Sequence, residues 1–170
     1  MIEALLLLAA GAAAPADDPY APARAGQLQC VRPNVEKKTC AAMTRYSFGA
    51  GGKVTSVSTQ MIAPQPLITM EITDDESFEG KALCSVVKAE TFDNAVFKLD
   101  GNPAPADVEG AIRPQLNGFV APLFGKKACS LLVPEGDHLL SQVTMDGAPM
   151  EQLNQPLIWV KPEDGYTLGM

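Results

Sequence analysis

The sequence has little of what most catalytic and metal sites need. It contains one histidine, His138, so a site built from several histidines cannot form. None of its four cysteines stands in a C-x-x-C pair, which disfavours a zinc site and a thioredoxin-like redox motif. It has no G-x-S-x-G elbow, and the stretch FGAGGKVTS lacks the first glycine and the final hydroxyl residue of a phosphate-binding loop. The sequence therefore predicts no catalytic, metal-binding or cofactor-binding residues.

Basic residues are also scarce. The chain has 13 Lys and Arg residues against 20 Asp and Glu residues, for a net charge of −7, and the basic residues are scattered. Scattered positive charges leave no basic stripe to neutralise phosphates, so the sequence predicts no nucleic-acid partner. An acidic surface favours solubility and would steer a basic partner towards the protein.

No apolar run is long enough to cross a bilayer. The run from Ala4 to Ala14 is too short to span but is typical of a signal-peptide core, and Ala14-Pro15-Ala16 at its end supplies the small residues that signal peptidase needs. We therefore expect a signal peptide over residues 1–16, a periplasmic or secreted location, and no membrane span after cleavage. The segment before the run carries Glu3 and no Lys or Arg, which leaves open a packed helix of a cytoplasmic protein.

The four cysteines are Cys30, Cys40, Cys84 and Cys129, and an even number in a small exported chain indicates disulfides. Of the three possible pairings we favour Cys30 with Cys40 and Cys84 with Cys129. The first two flank an Arg-Pro-Asn turn signal, so they can face each other across a local excursion of the chain. Zinc binding and free thiols are the competing interpretations.

Two phrases recur in the same order along the chain. They are GKALCSVV at residues 80–87 with FKLDGNP at 97–103, and GKKACSLL at 125–132 with VTMDGAP at 143–149. This recurrence indicates an internal repeat over residues 80–110 and 125–156, each copy holding a cysteine-bearing strand, a second strand and an Asp-Gly turn. Copies packed about a local two-fold axis would place Cys84 opposite Cys129. Coincidence of common turn residues is the competing interpretation.

Strand-like patterns dominate the rest of the chain. The predicted strands cover residues 39–48, 54–62, 67–73, 82–88, 95–99, 128–133, 139–146 and 156–161. Residues 107–124 instead repeat apolar residues at three- and four-residue steps, which predicts one amphipathic helix. The predicted fold class is α+β, a mainly antiparallel sheet with this helix packed on it; a β-sandwich with a connecting helix is the alternative. We expect a flexible arm over residues 17–26 and a single disulfide-bonded domain over residues 27–170.

Three features could carry chemistry or bind a ligand. Asp137 and His138 could orient a general base near a nucleophile, although a polar strand start is the preferred interpretation. The acidic run from Asp74 to Glu79 lacks the ligand pattern of a calcium loop, and we interpret it as a solvated turn. Trp159, the single tryptophan, lies in PLIWVK, where apolar residues on both faces predict a buried strand and a role for its ring in the core.

Four segments together resemble a group of uncharacterised exported proteins of alphaproteobacteria. These segments are GKALCSVV, GKKACSLL, DGNPAPAD and the WVKPEDGY tail. The resemblance covers most of the chain after the predicted signal peptide. It implies export and a single disulfide-bonded domain, and it implies no activity and no functional residue.

These observations predict a non-catalytic periplasmic or secreted module that associates with the cell envelope or binds an unidentified protein or small molecule. A small inhibitor of a basic hydrolase, such as a protease or a lysozyme, is the first alternative because it suits the acidic charge and the disulfides. A small hydrolase using Asp137 and His138, or a pair of carboxylates brought together in space, is the second.

Replacing Cys84 by Ser should lower the free energy of unfolding of the oxidised protein by roughly 2–5 kcal/mol, because a disulfide restricts the unfolded chain. Denaturant unfolding of both proteins without reductant measures the difference. The difference should shrink when the wild type is first reduced. Equal stability of the two oxidised proteins would contradict a stabilising bridge at Cys84.

Overall fold

The computed structural model describes residues 18–170 of the chain. The predicted signal peptide and its cleavage point lie outside the described residues. The described strands are β1 Leu28–Val31, β2 Thr39–Cys40, β3 Ala42–Phe48, β4 Lys53–Pro64, β5 Leu67–Glu79, β6 Ala82–Val86, β7 Val96–Leu99, β8 Asn102–Pro103, β9 Lys127–Glu135, β10 His138–Met145, β11 Ala148–Pro149, β12 Gln155–Val160 and β13 Thr167–Leu168. The helices are α1 Ala21–Arg24, α2 Ala89–Asp93 and α3 Ala106–Val120, the last continued by a 3₁₀ turn over Ala121–Leu123.

Eleven of these strands form one antiparallel sheet, and eight of the eleven form a closed ring. The order around the ring is β4, β3, β1, β12, β10, β9, β6 and β5, and β5 pairs again with β4. Each of the eight strands therefore has a hydrogen-bonded neighbour on both sides. The structure confirms the predicted α+β class with a mainly antiparallel sheet. The sheet closes on itself rather than splitting into the two layers of a sandwich.

Strand β5 is longer than the sequence predicted, and the interpretation of the acidic run from Asp74 to Glu79 as a solvated turn is wrong. It runs through the acidic segment to Glu79, where the sequence suggested a solvated turn, and pairs with β4 along almost its whole length. On its other side it pairs with β7 at Ile68–Glu71 and with β6 at Ser77–Glu79. Alternation explains the difference: the acidic side chains of a strand point in turn to its two faces, so part of the run can face solvent without a turn.

The predicted flexible arm is wrong for residues 18–26, which are packed against the sheet. Tyr20 is 1% exposed, and its ring meets the rings of Tyr46, Phe78 and Trp159 edge-on at centroid distances of 5.6, 5.2 and 5.9 Å. The indole nitrogen of Trp159 donates to the carbonyl oxygen of Pro19 at 3.1 Å. The Pro- and Ala-rich composition predicted disorder, but one buried aromatic residue is enough to fix this segment.

Helix α3 packs on the extension of the sheet formed by β5 and β7, as predicted from its apolar face. Ile112 and Leu116 contact a cluster built around Met70, Ala95 and Phe97. The helix begins after Pro105, one residue before its predicted start.

Arg113 anchors helix α3 from its other side. Its guanidinium donates to the carbonyl oxygens of Phe92, Asp93 and Ala95 at 3.3, 3.1 and 2.8 Å and pairs with Glu109 at 3.0 Å. The helix is therefore held to the α2–β7 connection by polar contacts as well as by its apolar face.

The two disulfides join the cysteines in the pairing that the sequence favoured. Cys30–Cys40 links β1 to β2, and Cys84–Cys129 links β6 to β9. In the second bridge the two cysteines are directly opposite in the antiparallel ladder, with Cα atoms 4.1 Å apart. The bridges use all four cysteines and are consistent with an oxidising extracytoplasmic location.

The two Asp-Gly turns of the predicted repeat have the same local geometry. Asp100 and Asp146 adopt φ angles of 48° and 50°, and the glycine after each adopts 81°, as a tight hairpin turn requires. Each aspartate carboxylate also accepts a backbone hydrogen bond, from Leu67 at 3.0 Å and from Lys127 at 2.9 Å. The partner strand differs, because β7 hydrogen-bonds to β5 whereas β10 hydrogen-bonds to its own cysteine strand β9.

None of the helices in residues 18–170 combines the length and the apolar composition needed to cross a membrane.

Replacing Tyr20 by Ala should lower the free energy of unfolding by about 3–5 kcal/mol, because it empties the position around which three aromatic rings pack. Chemical denaturation measures the loss. The control is Phe119→Ala, at a position 74% exposed, which should change stability by less than about 0.5 kcal/mol. A Tyr20 variant as stable as the Phe119 variant would contradict the packing role of residues 18–26.

Candidate binding site inside the closed sheet

Strands β3 and β4 show how the interior of the closed sheet changes along its length. Successive inward-facing pairs across these strands are Phe48–Val54, Tyr46–Ser56, Thr44–Ser58 and Ala42–Gln60. One end is apolar and belongs to the cluster around Tyr20 and Leu157. The other end carries hydroxyl and carboxamide groups. The interior therefore has a packed apolar half and a polar half.

A cavity of about 240 Å³ occupies the polar half. Its polar lining residues come from five strands and are Gln29, Thr44, Ser58, Gln60, Ser141 and Gln155. The remaining lining residues are aliphatic: Val31, Ala42, Val143, Leu153 and Leu157. None of these lining residues, all of which lie in the described part of the chain, carries a charge. A pocket with an apolar wall and a few converging polar groups is the usual form of a small-molecule site.

Hydrogen bonds within the sheet hold part of this lining in place. The hydroxyl of Tyr46 donates to Oε1 of Gln29 at 2.9 Å, and the hydroxyl of Thr44 donates to Oγ of Ser58 at 3.0 Å. Ser141 bonds Ser130 on the neighbouring strand at 2.7 Å. These bonds orient the side chains that face the cavity.

Other polar groups of the lining have no hydrogen-bond partner in the described part of the chain. Within residues 18–170, the side-chain amides of Gln60 and Gln155 and the Nε2 of Gln29 form no hydrogen bond to protein. A carboxamide offers two donor hydrogens and an acceptor oxygen. The lining therefore presents several unused donors and acceptors to whatever enters the cavity.

Glu76 is the ionisable residue that the sequence interpretation missed. It points into the closed sheet opposite Val54, accepts a hydrogen bond from the Ser56 hydroxyl, and lies close enough to Tyr20 and Tyr46 to influence both. Burial raises the pKa of Glu76 from its ordinary value to about 7, and the negative charge of Asp74 adds to the increase. Burial also raises the pKa of both tyrosines. Glu76 therefore titrates near neutral pH.

Of the sequence-predicted pair, Asp137 lies in the exposed turn between β9 and β10, and His138 is the first residue of β10, the polar strand start that the sequence favoured. The ring nitrogen Nδ1 of His138 meets Asp137 at 3.1 Å, and Nε2 meets Glu135 at 3.1 Å. The hydrogen bonds to these two carboxylates raise the pKa of His138. Both ring nitrogens already have acidic partners, so the arrangement stabilises a protonated ring and does not favour a general base.

A second depression, of about 430 Å³, lies beside the Cys84–Cys129 bridge. Its charged lining residues are Lys53, Lys88, Lys127, Asp75, Glu76 and Glu79. Lys127 and Glu79 form a salt bridge across it. The opposite charges of this depression therefore already pair with one another in part. The interior cavity is the better candidate, because the side-chain amides of Gln60 and Gln155 that line it form no hydrogen bond to another group in residues 18–170.

No family model matches the chain, and comparison with curated proteins and with solved structures also gives no match.

Replacing Glu76 by Gln should change the pH dependence of stability. The carboxyl has a raised folded-state pKa, so its stability contribution is complete below its unfolded pKa and is lost as the pH rises towards about 7. The variant should therefore gain stability relative to the wild type by roughly 2–3 kcal/mol between pH 4 and pH 8, allowing for partial exposure. Denaturant unfolding at both pH values measures this gain.

The matched control for this experiment is Asp75→Asn, which removes an exposed carboxylate from the outer face of the same strand. The gain in stability specific to Glu76 is the gain of the Glu76 variant between pH 4 and pH 8 minus the gain of the Asp75 variant over the same range. A Glu76 variant whose stability relative to the wild type is the same at both pH values would show that this carboxyl is not buried as described.

Proposed function

We propose that the protein is a non-catalytic exported module that binds a small molecule inside its closed sheet. The observation that carries the proposal is the uncharged cavity with amide groups of Gln60 and Gln155 that bond no other group in residues 18–170. Eight strands leave an interior just wide enough for packed side chains or for one small ligand. Here the apolar half is filled by side chains and the polar half is not.

The location supports this proposal. We infer that the protein works in the periplasm or after secretion, because the predicted signal peptide and the two disulfides both suit an oxidising compartment. The two cross-links stabilise such a small module by restricting its unfolded chain.

The alternative of an inhibitor that meets a basic hydrolase through acidic side chains stays a prediction. The outward-facing residues Asp75 and Glu79 of β5 could meet a basic surface. Three lysines line the same depression, however, and one of them pairs with Glu79, so the local charge is mixed rather than acidic.

Replacing Ala42 by Phe should block ligand binding, because a phenyl ring at this lining position fills the cavity without removing a hydrogen bond. Native mass spectrometry of protein recovered from its own compartment measures bound small molecules. We expect a bound small molecule on the wild type that is missing from the Ala42 variant.

The matched control is Ser47→Phe, which places the same ring on the exposed face of the same strand and should keep the ligand. Thermal unfolding of both variants checks that they remain folded. The same small molecule at equal occupancy on the Ala42 variant, or none on the wild type, would contradict binding inside the sheet.

A further inference from the structure

We propose that the ligand is an uncharged, hydroxyl-rich molecule of about the size of a monosaccharide. This inference rests on the proposed function, because it assigns a chemical class to the occupant of the interior cavity. Three properties of the lining carry it: its lack of charge, its hydrogen-bonding groups and its volume.

The lack of charge excludes ionised ligands. A charged group that leaves water for this cavity would lose its hydration and would meet no side chain of opposite charge among the lining residues. The cost of burying an unpaired charge is large, whereas hydroxyl and amide groups need only hydrogen-bond partners. The cavity therefore discriminates against carboxylates, phosphates and amines.

The hydrogen-bonding groups match hydroxyls in particular. Gln29, Gln60 and Gln155 reach the cavity from three different strands, β1, β4 and β12. A hydroxyl donates one hydrogen and accepts through its lone pairs, and a carboxamide can satisfy both functions with its NH₂ and its oxygen. Several amides around one cavity suit several hydroxyls on one ring. The aliphatic wall, which includes Leu157 and Val143, suits the C–H face of such a ring.

The volume limits the size of the ligand. Pockets for drug-sized molecules commonly measure about 300–1,000 Å³, and this cavity measures about 240 Å³. The occupant is therefore smaller than a typical drug or an oligosaccharide, and a single sugar ring or a cyclic polyol is of the right size.

The experiment titrates the disulfide-bonded protein with glucose, galactose, N-acetylglucosamine and myo-inositol, and with the charged analogues glucuronate and glucosamine. Ligand-observed NMR detects binding of each probe, and calorimetry measures its affinity. We expect at least one neutral probe to bind and its charged analogue to bind at least tenfold more weakly.

Two substitutions test the carboxamides. Gln155→Leu removes one amide at nearly constant volume and should weaken the neutral probe by about three- to tenfold, the usual effect of losing one neutral hydrogen bond. The matched control is Gln142→Leu, an exposed glutamine on β10, which should leave the affinity unchanged. Equal affinity of the two variants would show that Gln155 does not bind the probe.

The Ala42→Phe variant separates the failure of this inference from failure of the proposed function. If only the charged probes bind, and Ala42→Phe abolishes their binding, the cavity is a binding site but the assignment to neutral polyols is overturned. If neutral probes bind equally well to Ala42→Phe and the wild type, they bind elsewhere, and the assignment is overturned. If Ala42→Phe changes the binding of none of the probes and of no molecule recovered with the protein, both proposals are overturned.

Discussion

The pairing of β5 with β4 closes the sheet, and the rest of the structure depends on this closure. A closed sheet has an interior, so each ring strand has one face that points outward and one face that points towards the opposite wall. Ser56, Ser58 and Gln60 of β4 would face water on an open sheet, but here they face the interior. The binding cavity and the buried carboxyl of Glu76 both follow from this geometry.

Closure also explains the positions of Tyr20 and of the second disulfide. The ring of Tyr20 fills the apolar half of the interior, so the segment before β1 becomes part of the core. Strand β6 pairs with β5 at only three positions, which is a short connection in the ring. The Cys84–Cys129 bridge ties β6 covalently to β9 on its other side, so β6 is held in the ring by a covalent bond as well as by its hydrogen bonds.

Local patterns in the sequence predicted helix α3 and seven of the eight ring strands, but they missed β1 and did not predict the closure of the sheet. The strand-like patterns and the helical period over residues 107–124 are local, and the recurring cysteine phrases pointed to the pairing of Cys84 with Cys129. Closure depends on which strands lie next to each other, and the local sequence of a strand does not show its neighbours. Without knowledge of the closure, the polar face of β4 is interpreted as facing solvent. Neither Gln60 nor Glu76 could therefore be recognised as an interior residue. Tyr20 was missed because Pro and Ala surround it.

Hydrogen exchange of the backbone amides along β4 and β5 tests closure most directly. In an antiparallel sheet successive amides point to opposite sides, so a strand at an open edge leaves every second amide exposed to water. The account predicts protection of both sets of amides in β4 from Val54 to Gln60, where β3 pairs with one side of the strand and β5 with the other, and protection of the β5 amides that face β4. Rapid exchange of the β4 amides that face β5, with the β4 amides that face β3 still protected, would show an open sheet and would contradict the account.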